Sequence, residues 1–196
     1  LLQDETDLTQ EERELFRDTI NKNSNLLLKL INDILELSRI ESGRMSFTFE
    51  YCSLNKLMEE IYQTHHLLMP AGISFLKKIP DMDITLHVDR FRFTQVITNL
   101  INNAVKFTTK GYIKMGYRYD KSTNEVHIFV EDTGKGMSEE AQKKVFERFY
   151  KADEFVQGTG LGLSICQTIA ERLNGRITLF SEEGKGSCFT LILPCQ

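Results

Sequence analysis

Much is scarce in these 196 residues, and each scarcity removes a class of function. Positive charge is not in excess: 24 Lys and Arg face 28 Asp and Glu, for a formal net charge of -4. That balance disfavours a nonspecific nucleic-acid surface, so no direct nucleic-acid partner is expected and the lysines need a local explanation. Cys52, Cys166, Cys188 and Cys195 are widely spaced, with no close Cys-x-x-Cys pair. Neither a thioredoxin-type redox site nor a structural zinc site is suggested, and reduced cysteines of an intracellular domain fit better. No apolar run reaches bilayer length and no secretory signal is present, so no membrane insertion is expected of this stretch. A cytoplasmic fragment is the expectation. Leu1-Leu-Gln-Asp-Glu-Thr-Asp7 reads like the tail of an earlier element, which leaves room for a parent attached to the cell membrane.

What is present can build a core. Apolar residues make up 41%, including 13 Phe, and the length suits one substantial domain plus a smaller element. From about Glu11 to Ser42, Leu15, Ile20, Leu27, Ile31, Ile34 and Leu37 or Ser38 recur at helical spacing. Thr9 or Asp7 can cap this helix, Glu12 completes a capping box with Thr9, and Gly43 is a natural stop. Such a rod, about 45 Å long at ~1.5 Å per residue, needs a partner helix. A dimer through a coiled coil or four-helix bundle is favoured over a monomeric helical hairpin.

After Gly43 the period changes. Ser46 to Tyr51 alternates like a strand, and Leu54 to Met69 reads as a helix ended by Pro70 and Gly72. Strands are expected near Ile73–Lys78 and Ile84–Val88, then a helix from Arg90 to Phe107. Tyr112–Tyr119 and Val126–Val130 form a strand pair; a helix over Leu161–Leu173 leads to strands at Arg176–Phe180 and Ser187–Leu193. Adjacent strands joined by short turns favour an α+β sandwich with a mixed sheet over a doubly wound parallel one.

Four separated segments carry chemistry. In Asn99-Leu-Ile-Asn-Asn-Ala-Val-Lys-Phe-Thr108, Asn99 and Asn103 share one side of a helix and Lys106 reaches the same area. Amide oxygens can hold a hard cation, and the ammonium can offset phosphate charge; a solvent-facing polar stripe would look the same. Asp132-Thr-Gly-Lys-Gly-Met137 follows an apolar strand, so Asp132 can accept from a base amino group while Gly134 and Gly136 allow close backbone approach. An ordinary turn carries the same signal. Phe146-Glu-Arg-Phe-Tyr150 opens a polar stretch suited to a lid, with the aromatics as anchors and Arg148 or Lys151 near phosphate. Gly158-Thr-Gly-Leu-Gly-Leu-Ser-Ile165 places Gly158, Gly160 and Gly162 before an apolar helix, where amides can meet phosphate oxygens. It is not a Walker loop, for no Gly-Lys-Ser/Thr ending follows, and it lacks the preceding strand of a dinucleotide fingerprint.

In that order the four segments resemble the N, G1, F and G2 boxes of the sensor histidine kinase family. Residues 46–195 resemble its catalytic domain, and Leu30-Ile-Asn-Asp-Ile-Leu-Glu-Leu-Ser-Arg-Ile-Glu-Ser-Gly43 is similar to the end of its second dimerisation and phosphotransfer helix. The resemblance implies two units: 1–43, a phosphotransfer region lacking its first helix, and 44–196, a Bergerat-type ATP-binding domain with a lid at about 135–158. It implies ATP and Mg2+ as cofactors, with Asn103 facing the metal, Asn99 in the same polar network and Lys106 near phosphate. Asp132 would recognise the adenine amino group and Gly134 and Gly136 would shape that side. Gly158, Thr159, Gly160, Leu161 and Gly162 would form the phosphate side. The implied reaction is transfer of the γ-phosphoryl group to a histidine on the phosphotransfer helix, then to an aspartate of a response-regulator receiver domain. Family members carry that histidine in a segment with no counterpart here, so this stretch alone is expected to bind ATP without phosphorylating itself. The alternative is a degenerate ATP-binding scaffold that controls protein association; a water-activating ATPase is weaker, because Asn99 offers no carboxylate base.

Overall fold

The computed structural model describes residues 9–153 and 158–195. Helix α1 spans Gln10–Glu41. Thr9 accepts from the Glu12 amide and Glu12 bonds back to the Thr9 amide, satisfying donors that the first turn leaves open. The Asp7 alternative lies outside the described residues. Gly43 follows at φ +67, a left-handed position that costs glycine little.

Strand β1 (Glu50–Ser53) pairs antiparallel with β3 (Thr85–Val88), and α2 (Leu54–His66) begins directly after β1 with Ser53 as its cap. The strand expected over Ser46–Tyr51 is therefore displaced: β1 forms only where β3 offers a ladder. The expected helix to Met69 ends at His66 instead, four residues before Pro70, which disfavours helical backbone ahead of it.

A second sheet has the order β2-β4-β5-β7-β6, built from β2 (Ile73–Lys78), β4 (Gly111–Asp120), β5 (Glu125–Asp132), β6 (Arg176–Glu182) and β7 (Gly186–Pro194). Only the β2–β4 pair is parallel, so the sheet is mixed as expected. Along β5, Val126, Ile128, Val130 and Asp132 are buried and alternate with half-buried residues, the period of two that puts one face on the core. Helices α3 (Arg90–Phe107) and α5 (Gly162–Arg172) cover that face. Phe93, Ile97, Leu100 and Ile101 of α3 are fully buried, at helical spacing. The short helix α4 (Glu139–Lys144) is capped by Ser138.

Helix α1 meets the domain along a narrow stripe. Leu30, Leu37 and Ile40 pack against the core, whereas Leu15, Ile20, Leu27, Ile31 and Ile34 are exposed. Leu37 thus belongs to the docking stripe and not with the other apolar residues of the expected face.

Candidate nucleotide site

Helix α3 faces the sheet with its apolar side, which turns its other side toward α5 and a solvent-open cleft. Asn99, Asn103 and Lys106 all line that cleft. The end of β5 adds Asp132, and Gly136, Lys151, Gly158, Thr159, Gly160 and Gly162 complete much of its wall. Residues separated by some sixty positions in sequence are thereby brought around one space.

Asp132 is 7% exposed, and its Oδ1 accepts from the Gly134 amide at 2.8 Å. Burial pushes its carboxyl pKa up, while N–H bonds from Gly134 and Ser187 pull the other way. Gly134 itself is not among the lining residues. It backs Asp132: a Cβ there would lie 2.4 Å from the Phe107 carbonyl oxygen. Gly136, at φ +65, lies against Glu182, where a Cβ would come within 2.0 Å of the carbonyl oxygen.

Elsewhere in the lining, Gly158 touches Lys106; a Cβ would fall 2.6 Å from the ammonium. Burial and the neighbouring charges of Lys29, Lys151 and Lys135 push the Lys106 pKa down. Cations that repel one another in a half-buried cleft suit a polyanion. Gly160 (φ +72) abuts the Phe149 backbone, and the Phe149 amide donates to its carbonyl at 3.0 Å. Phe149 pays for this join with φ 61, rare for a bulky side chain.

Three expected residues sit elsewhere. Arg148 is exposed and ion-pairs with Glu41 at the end of α1, which draws its guanidinium away from the lining. Leu161 is fully buried and serves the core beneath the glycines. Phe149 is 60% exposed, whereas Phe146 packs edge-on to Phe189 at 6.3 Å. Lys135 is tied to Asp153 at 2.6 Å across the described part of that stretch; residues 154–157 lie outside the described residues.

The sequence reading missed Lys29, which reaches the lining from α1, and the apolar floor of Met137, Leu163 and Phe189. The floor was findable in principle, since the register pairing Asp132 with Ser187 carries Phe189 to the same edge. Nothing local marked Lys29.

A metal and nucleotide fit the donor chemistry. Among the described residues no group of three His, Cys, Asp or Glu stands together. A hard cation here would take an amide oxygen of Asn103 and find its other oxygens on a ligand's phosphates, as suits Mg2+. None of the four histidines lines the cleft. His65 is buried beside Thr98, His66 stacks on Tyr62, His87 stacks on Tyr51, and His127 lies 3.7 Å from Glu125.

Residues 88–196 match the family described as histidine kinase-, DNA gyrase B-, and HSP90-like ATPase. The chain is 38% identical over 194 residues to the autoinducer 2 sensor kinase/phosphatase LuxQ of Vibrio vulnificus, covering 91% of this chain and 22% of LuxQ. It thus spans about a fifth of that relative's length. The catalytic domain of the histidine kinase ThkA, in a nucleotide-free form, superposes with TM-score 0.67 at 32% identity, over 76% of this chain and 97% of ThkA's domain. Full-length ShkA in complex with AMPPNP superposes with TM-score 0.82 at 26% identity, over 95% of this chain and 39% of ShkA.

Proposed function

Because the chain belongs to the histidine kinase-, DNA gyrase B-, and HSP90-like ATPase family, with the Bergerat-type fold of sensor histidine kinase catalytic domains, we propose that it is the ATP-binding portion of a protein-histidine kinase. One observation carries this reading: Asn99, Asn103, Lys106, Asp132 and the glycines from 158 to 162, far apart in sequence, line a single cleft. ShkA's complex with AMPPNP agrees with an adenine nucleotide as ligand.

In this reading Asp132 accepts from the adenine amino group, directly or through water, while Gly136 leaves room beside the ring. Asn103, with Asn99 in its network, holds Mg2+, which when bound offsets charge on the phosphates. Lys106 and Lys151 add positive charge, and the amides of Gly158, Thr159, Gly160 and Gly162 point to phosphate oxygens at the start of α5. The chain's contribution is alignment and charge stabilisation. A neutral imidazole attacks the terminal phosphorus without a strong base, the bond to the bridging oxygen breaks, and ADP leaves. The acceptor is a histidine of the parent's phosphotransfer helix, for relay to a receiver aspartate. Residues 1–43 belong to that phosphotransfer region, 44–196 form the catalytic domain, and the stretch from about 135 to 158 acts as lid.

Calorimetry with Mg-ATP tests the reading. Wild type should bind, and Asn103→Ala should weaken binding at least about tenfold, the loss of one good charge-assisted contact. Labelled ATP should leave His65, His66, His87 and His127 unlabelled, because none stands in the cleft. Absence of ATP binding, or stable label on one of these histidines, overturns the proposal.

A further inference from the structure

We propose that Lys29 of α1 is a phosphate-contacting residue of this cleft that favours a nucleoside triphosphate over a diphosphate. The inference rests on the nucleotide-site reading above and adds to it a specificity contact from outside the catalytic domain. Lys29 lines the cleft although it lies some seventy positions before the next lining residue, Asn99. One helical turn later, Asp33 accepts from the Thr159 hydroxyl at 2.7 Å. That bond holds this part of α1 against the glycine segment, the phosphate side of the cleft in the reading above. Side chains four apart share a helix face, so Lys29 and Asp33 address the same end.

The neighbouring charges agree. Lys29 is close enough to disfavour the ammonium form of Lys106, which itself touches Gly158. Lys135 is engaged by Asp153, whereas among the described residues Lys29 makes no ion pair. An exposed lysine on a separate element, beside the glycine segment that the reading above gives to the phosphates, is placed for the terminal phosphate. A diphosphate ends short of it. By reciprocity, a triphosphate that meets Lys29 also strengthens the docking of α1 on the domain.

Calorimetry against a non-hydrolysable ATP analogue and against ADP, each with Mg2+, tests the assignment on wild type, Lys29→Ala, Lys29→Arg and Lys22→Ala. Lys29→Ala should weaken the triphosphate about fivefold and ADP by less than about twofold, the scale of one solvent-exposed ionic contact. Lys29→Arg should keep the discrimination, and Lys22→Ala, exposed on α1 and away from the lining, should match wild type. Equal losses for both nucleotides, or none, with wild-type binding intact, overturn the role of Lys29 and leave the nucleotide site standing. Failure of wild type to bind either nucleotide removes both. Unchanged urea unfolding of Lys29→Ala would assign any loss to contact and not to folding.

Discussion

Asp132 sets ionisation against burial. At 7% exposure its carboxyl is desolvated, and its pKa is raised despite the amides of Gly134 and Ser187. A carboxyl whose folded pKa lies above its unfolded value holds its proton more tightly in the native state. Its contribution to stability therefore declines as pH rises from the ordinary aspartate value through the raised one, and stays lowest above it. In the proposed role the ionised form is the better acceptor for an adenine amino group. ATP affinity should thus fall as pH drops through the raised pKa, at a higher pH than a solvated aspartate would set. Asp132→Asn should bind at least about tenfold more weakly at neutral pH, as loss of a hydrogen bond to a charged group costs ~1.5–3 kcal/mol. It should also flatten both profiles. Calorimetry and urea unfolding from about pH 4.5 to 7.5 check this; an identical acid limb in the variant would move the titration to another group.

At the scale of elements, α1 and the catalytic domain are fastened by polar contacts around a small apolar stripe. Glu36 bridges Arg92 and Gln95 of α3, with the Glu36 and Arg92 side chains 18% and 14% exposed. Asp33 meets Thr159, and Glu41 meets Arg148. Removing the Glu36 carboxylate would leave a largely buried guanidinium without its counter-charge, held by the Gln95 side chain and the Phe47 and Phe91 rings. Glu36→Ala should therefore destabilise the fold by about 1–3 kcal/mol, seen as a lower urea midpoint, whereas Glu11→Ala on the exposed first turn should change little. Equal midpoints would show that the Glu36 contacts add nothing to the docking of α1. These contacts also explain what was legible in sequence. Regular periodicity located α1, α3, β4 and β5 closely, because burial on one face imposes it. The short β1 was misplaced since its extent depends on β3, whose partner residues lie more than thirty positions away and which no local pattern encodes. Asn99, Asn103 and Lys106 were readable together because they share a helix face. Arg148 stands outside the lining because it pairs with Glu41, 107 positions earlier, and Lys29 has no local signal because only docking brings it to the cleft.

The whole molecule carries an imbalance that its own fold does not resolve. Ile20, Leu27, Ile31 and Ile34 form an apolar stripe on α1 turned away from the catalytic domain, between 45% and 62% exposed. Isolated apolar side chains on a surface are ordinary, but a continuous stripe along a helix normally meets another surface. At heptad-like spacing from Ile20 through Leu27 to Ile34, it suits a second helix, and a second copy of this chain supplies one. Sedimentation over a concentration series should therefore show a mass that rises from monomer toward dimer. Leu27→Glu with Ile34→Glu should abolish the rise, because each would bury a carboxylate against apolar side chains. Both positions point away from the cleft, so the double variant should bind Mg-ATP as wild type does. A wild-type mass independent of concentration would defeat association through this face. Loss of ATP binding in the double variant, with the fold intact by circular dichroism, would instead tie the nucleotide site to the assembled form, as expected if α1 docks correctly only when its outer face is covered.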